Sequence, residues 1–446
     1  MTRRKACILV LVVTVIPGPW PARSGEKPQA PTSPPLVLTL EAAQEEAHRH
    51  APEALAWLAD LSGFEARAAD ARRSFREDPT FAMVSRPPRF LQNPNDHLWD
   101  VSLSVPVNPW RTRVPRQEAA EQRLEEARRS IEEQFHMLDE QVARAFADLA
   151  LAQRASWRAE RLAALTEEWA KGTQADRGKP SREGLRADRV QFEVWRSRVQ
   201  VIDAHTREAR ARYHLARLLG RAPDAPIQVD DSFSAPHLPP EPDFEALVAS
   251  HPRVVAAQAA LSAARAERML AERMVRPAPV LGVSYGLGPW GFLEDYLGTA
   301  TVSTSAGPPQ IAFTLLLSLP LFDRQRTSRL EAQLREGQAA VRLQAARADV
   351  RHDLEVAWSN LAGAFATLQA LQDLPETLRQ DVALVTQLDA RGILAPGERI
   401  DDLRAIEAAA SMFDEAVRQW RYATAAWVRV THASFRVEDD AQRGDP

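Results

Sequence analysis

The sequence predicts a mainly α-helical chain with a minor transmembrane β part, built as a duplicated helix–hairpin–helix unit with long coiled-coil rods. Three observations carry this reading. Residues 52–79 and 252–279 align without gaps at an offset of 200, and ten of the 28 positions are identical: Pro52/Pro252, Ala56/Ala256, Ala59/Ala259, Leu61/Leu261, Ser62/Ser262, Ala66/Ala266, Ala71/Ala271, Arg73/Arg273, Arg76/Arg276 and Pro79/Pro279. Farther on, Leu103-Ser104-Val105-Pro106-Val107 is echoed by Leu317-Ser318-Leu319-Pro320-Leu321. The composition is rich in Ala, Leu, Arg and Glu, with only 18 Gly and one Cys in 446 residues, a profile of long helices rather than compact mixed domains.

The chain opens with an export signal, assigned to residues 1–24. Arg3-Arg4-Lys5 precede an apolar run from Ala6 to Ile16, then helix-breaking Pro17 and Pro19, then the small-x-small site Ala22-Arg23-Ser24. Eleven apolar residues fall short of the ~20 that span a bilayer as a helix. The only cysteine, Cys7, lies in this leader, so no disulfide framework is expected in the mature chain. Net charge is -4, and loss of Arg3, Arg4, Lys5 and Arg23 takes it to -8, which excludes a basic nucleic-acid footprint.

A Pro-rich spacer (25–38) leads to the first repeat (39–220). There Thr39 is placed to N-cap a helix with Glu41 in its first turn, running to about Arg76. A second helix is expected from Trp110 to about Ala170, where Leu138, Val142, Phe146 and Leu149 recur at helical spacing, and a third from Gly184 to Leu219. A Pro/Asp-rich connection (221–242) precedes the second repeat (243–435), with helices expected over 243–276, 324–390 and 398–434 and a C-terminal tail at 436–446. Rods this long must pack side by side.

Strands are expected at about 80–88, 98–108, 279–288 and 311–321. Ile311, Phe313, Leu315, Leu317, Leu319 and Leu321 alternate with mostly small or polar residues, and Leu281, Val283 and Tyr285 alternate with Gly282, Ser284 and Gly286. Val101, Leu103 and Val105 likewise oppose Ser102, Ser104 and Pro106. One large apolar face and one small face over about ten residues suits a transmembrane β-strand, and equally a strand of a soluble sandwich. Trp99, Trp110, Tyr285, Trp290 and Tyr296 fall at or near strand ends, as interfacial aromatics do. Four strands cannot close a barrel, and open edges are not tolerated in lipid. Either the sheet lies outside a membrane or several chains share one barrel; three copies would supply twelve strands.

The order of these parts, with Leu38-Thr39-Leu40-Glu41-Ala42-Ala43 at the mature start, Ser250-His251-Pro252 opening the second repeat and Ser318-Leu319-Pro320-Leu321-Phe322-Asp323-Arg324 after the last strand, resembles the TolC-like outer-membrane efflux proteins. Gly392-Ile393-Leu394 followed by Asp401-Asp402-Leu403-Arg404-Ala405 is similar to that family's periplasmic helix turn. The run ending in Phe322-Asp323-Arg324 leans toward the branch that includes outer-membrane parts of heavy-metal exporters. The resemblance implies a homotrimer with a twelve-strand barrel in outer-membrane lipid and a helical conduit in the periplasm. It further implies a passive exit duct that docks a periplasmic adaptor (membrane fusion) protein and an inner-membrane pump, and performs no chemistry. It makes Asp401, Asp402 and Arg404 periplasmic gate candidates and Gly392, Ile393, Leu394 and Gly172 adaptor-docking candidates. Leu281, Val283, Tyr285, Phe313, Leu315, Leu317 and Leu319 are then lipid-facing, with Gly282 and Ser318 toward the lumen. The first repeat departs from the family at Lys171–Ser181, a longer and more polar turn, although Leu185-Arg186-Ala187 echoes Leu403-Arg404-Ala405.

Other chemistry is not indicated. His48 and His50 lie two apart on a helix, face different directions, and lack zinc-ligand spacing, so no metal site and no cofactor are expected from them. No nucleophile elbow or H-E-x-x-H motif occurs, so no catalytic residues are expected. An acid such as Asp401 is also what a helix start favours through the backbone dipole. Two function classes remain: the export channel, and a soluble periplasmic coiled-coil adaptor or scaffold. An adaptor would carry one hairpin copy, so two copies and four amphipathic strands favour the channel.

Overall fold

The computed structural model describes residues 36–73, 80–86, 98–106, 110–174, 177–178, 181–230, 237–274, 279–286, 310–317, 326–391 and 396–432. The export signal, the C-terminal tail, Gly392, Ile393, Leu394 and Leu319 lie outside these residues. In chain order come β1 (Leu36–Leu38), α1 (Leu40–His50), α2 (Pro52–Ala71), β2 (Thr80–Arg86), β3 (Leu98–Pro106), α3 (Trp110–Thr173) and α4 (Arg182–Leu218). Then follow β4 (Ile227–Val229), α5 (Phe244–Ser250), α6 (Pro252–Met274), β5 (Pro279–Gly286), β6 (Gln310–Leu317), α7 (Arg326–Ala370), α8 (Leu374–Ala390) and α9 (Pro396–Thr431).

The 64 residues of α3 make a rod of about 96 Å at 1.5 Å per residue. Thr39 caps α1 through its hydroxyl, which accepts from the Ala42 amide at 3.3 Å. The single helix expected from Thr39 to Arg76 is two: the chain breaks at Ala51 (φ -61°, ψ 129°), because Pro52 disfavours a helical residue before it. His251 breaks α5 from α6 with nearly the same dihedrals (φ -63°, ψ 132°) before Pro252. The helix expected over 324–390 is also interrupted, at Leu371–Asp373, where i→i-3 bonds such as Leu371 N to Leu368 O end α7. Pro375 restarts the helix as α8, at a position near an N-terminus where its missing N–H costs little.

Packing follows the two halves. Leu138, Val142 and Leu149 of α3 bury against Ala43 and Ala47 of α1, Leu215 and Leu219, and the parallel pair β1–β4. A second core joins Val254 and Leu261 of α6, Val350, Leu354 and Leu361 of α7, and Val417, Trp420 and Trp427 of α9. The helix α3 touches α4, α6 and α9 and so binds the halves together. Gly220 closes α4 with φ +69°; a Cβ there would lie 2.3 Å from the His50 carbonyl oxygen, so no larger residue fits. Among the described residues no helix is long and apolar enough to cross a membrane.

The four long strands form one antiparallel sheet in the order β2-β3-β5-β6. The central ladder joins β3 of the first half to β5 of the second, and among the described residues the outer edges of β2 and β6 have no strand partner.

Candidate functional site

The register of the sheet decides its chemistry. Phe81, Leu103, Val283 and Phe313 form one row across four strands, and Met83, Val101, Tyr285 and Ile311 form another. Leu281 pairs with Val105 on one side and Leu315 on the other. Since side chains alternate with period two, these rows share one face. That face is bare: Phe313 is 81% exposed, Phe81 67%, Leu315 60%, and Leu281, Val283 and Tyr285 are also exposed. Leu317 pairs with Pro279 at the end of the same alternation.

The opposite face carries Thr80, Ser104, Gly282 and Thr314 in one row and Ala82, Ser102, Ser284 and Ala312 in the next. The Thr80 and Ser104 hydroxyls lie 2.8 Å apart, a cross-strand hydrogen bond. Gly282 is not an open lumen position: a Cβ there would meet Thr314 Oγ1 at 2.4 Å. The small residues therefore let this face close tightly, and a large side chain at 282 disturbs the packing against Thr314.

At the far end of the rods, α3, α4 and α9 converge. Arg404 pairs with Glu193 of α4 and reaches Asp401 Oδ1 at 3.4 Å, so its partners lie in its own chain. Glu193 is only 16% exposed, whereas Asp401 is 76% exposed and Asp402 is also on the surface. The Arg399 guanidinium sits over the Trp169 ring at 5.9 Å, tying α9 to α3. Gly172 lies in the last turn of α3 with open space where a Cβ would be; Gly178, at φ +74°, is the glycine that the following turn requires.

The sequence motifs did not reveal two further groupings. His48 turns onto α3, where Nε2 meets Asp139 Oδ1 at 2.7 Å, and this hydrogen bond raises the imidazole pKa despite partial burial. Between the two halves, Glu133 of α3, His251 at the α5–α6 break and His432 just past α9 bring their ligand atoms within 4.8 Å of one another. Burial holds the His251 pKa down to about 4 and that of His432 to about 3, and the same desolvation raises Glu133. Positions 133, 251 and 432 share no local spacing, so no motif could have announced them.

No protein-family model matches the chain, and no curated protein matches it in sequence. Solved structures match its fold. A membrane protein from Pseudomonas aeruginosa superposes with a TM-score of 0.69 at 16% identity, covering 88% of this chain and 93% of that one. CusC, described in terms of folding and transmembrane channel formation, gives 0.69 at 15% identity over 88% and 91%. The open Neisseria gonorrhoeae MtrE outer membrane channel gives 0.67 at 17% identity over 88% of each chain. With these overlaps the chain has the fold of the TolC-like outer-membrane channels.

Proposed function

We propose that this chain is the protomer of a trimeric outer-membrane channel, the passive exit duct of a multi-component efflux or secretion system for small molecules or ions. The observation that carries the proposal is the four-stranded sheet: one face is apolar and largely exposed, the other mostly small and polar, and among the described residues both edges are open. In lipid such edges must be paired, and three copies closing edge to edge give twelve strands with the Phe81, Leu103, Val283 and Phe313 row outward. The helices reach about 96 Å from the sheet, a length suited to a periplasmic conduit. An exposed stripe on α4, Leu185, Phe192, Trp195, Val199 and Ile202, recurs with heptad spacing and calls for a neighbouring helix.

On this reading the signal is removed near residue 24, the distal turns carrying Gly172 and Gly392-Ile393-Leu394 meet a periplasmic adaptor and an inner-membrane pump, and Asp401, Asp402 and Arg404 surround the periplasmic mouth. The test is reconstitution of the purified protein into planar bilayers. Discrete conductance steps are expected. A protein that leaves bilayers silent and fractionates as soluble periplasmic material fits the adaptor reading instead.

A further inference from the structure

We propose that Glu133, His251 and His432 form a binding site for one divalent transition-metal ion of the Zn2+ class, fastening the end of α9 to α3 and to the α5–α6 break. His432 Nε2 lies 3.3 Å from His251 Nε2 and 3.5 Å from Glu133 Oε2, and His251 Nε2 lies 3.9 Å from the same oxygen. The last two separations are too long for hydrogen bonds. They suit atoms that share a cation: a point equidistant from all three would be about 2.1 Å from each, the length of a Zn–N or Zn–O bond. Two imidazoles and one carboxylate are also a ligand set that this ion class accepts.

The carboxylate supplies the independent observation. Glu133 is 95% buried as a side chain (5% exposed), and its Oε2 makes no hydrogen bond among the described residues. Its other oxygen is taken by Arg429 Nη1 at 3.4 Å. A buried carboxylate oxygen without a donor is costly, and here it points at two imidazole nitrogens. The neighbouring cations leave Oε2 free: Arg429 holds Glu133 Oε1 and Glu140, and Arg253 pairs with Asp353 and Asp349.

Backbone geometry holds the third ligand in place. Among the described residues His432 is the one non-glycine with positive φ, 53°, and this turn immediately after α9 brings its ring against His251 and His136, at centroid distances of 4.7 and 4.1 Å. A water would complete a four-coordinate shell. Binding has one internal cost. The Arg253 amide donates to His251 Nδ1 at 3.1 Å, which puts the proton of the neutral ring on Nε2. Metal binding at Nε2 moves that proton to Nδ1 and turns the half-buried Arg253 amide, an otherwise orphan donor near the start of α6, to water.

The experiment uses untagged full-length protein in detergent, stripped with a chelator and titrated with Zn2+ against a chromophoric competitor. One Zn2+ per chain is expected, with a rise in Tm. Glu133→Gln and His432→Gln should each weaken uptake by about a hundredfold or more, whereas His214→Gln, an exposed histidine on α4, should leave it unchanged. Uptake that is absent, or equal in all of these proteins, overturns the proposal. Should a variant fail to assemble, Co2+ added to the intact protein still decides. One equivalent giving the intense visible bands of a tetrahedral N/O site supports the site, and the weak bands of an octahedral surface ion refute it.

Discussion

Leu103 and Val283 stand opposite one another in the central ladder of the sheet, and this one pair joins the two halves of the chain within an exposed apolar row. The row runs outward to Phe81 and Phe313, the strands with open edges. An apolar face of this extent in a monomer needs a cover, and in the proposed channel lipid covers it while the polar reverse face lines the pore.

Val283→Arg should therefore destabilise the inserted protein by about 2–4 kcal/mol at mid-membrane depth. Ser102→Asn, on the half-buried polar face, should cost much less. Urea titrations in lipid measure both, and equal effects would mean that the faces are wrongly assigned.

Gly220→Ala tests the junction of α4 with α1. The left-handed backbone and the 2.3 Å approach to the His50 carbonyl leave no room for a methyl group. A loss of about 2 kcal/mol or more is expected from strain and displacement combined, read as a lower denaturation midpoint. Gly172→Ala, in open helix, should be neutral or slightly stabilising.

Much of this architecture was legible because it rests on periodicity. Period-two alternation placed Leu281, Val283, Phe313 and Leu315 on one face, and the register aligns them without a slip. Apolar residues at helical spacing marked α3. What escaped was set by single backbone constraints or by distant pairing. The breaks before Pro52, Pro252 and Pro375 interrupt helices whose side-chain pattern continues across them. Glu193 and Arg404 meet although 211 residues separate them, so the charge that neutralises Arg404 could not be read from its own helix. The Glu133, His251 and His432 grouping is hidden for the same reason: only the packing of α6 and α9 against α3 creates it.

At the distal end, Arg404→Ala removes the partner of a mostly buried carboxylate. Because Arg404 is itself half exposed, its coupling to Glu193 in a double-mutant cycle should be modest, about 1 kcal/mol. The functional consequence should be larger. Loosening α9 from α4 should raise single-channel conductance, and Asp401→Ala should instead reduce cation preference, since in the proposed trimer three copies of this exposed carboxylate would stand near one axis and attract cations. Unchanged currents in both variants would move the constriction elsewhere.

Acid should destabilise the metal-free protein through the buried histidines. His251 and His432 are held neutral in the folded chain, with pKa values lowered to about 4 and about 3, whereas the unfolded chain takes up protons below about 6.5. Their contribution is therefore complete above pH 6.5 and is lost as pH falls toward 4. His251 alone accounts for about 3 kcal/mol at 1.4 kcal/mol per unit. The raised pKa values of His48 and Glu133 act in the opposite sense and soften the slope. Denaturation midpoints in chelator from pH 7 to 4.5 should fall more steeply for the native chain than for His432→Phe.

The shared barrel is the central claim, and native mass spectrometry of the detergent-solubilised protein tests it most directly. The edges of β2 and β6, unpaired among the described residues, predict a particle of three chains that loses its β-sheet signal when it dissociates. A well-folded single chain that keeps its full β-sheet content would contradict it.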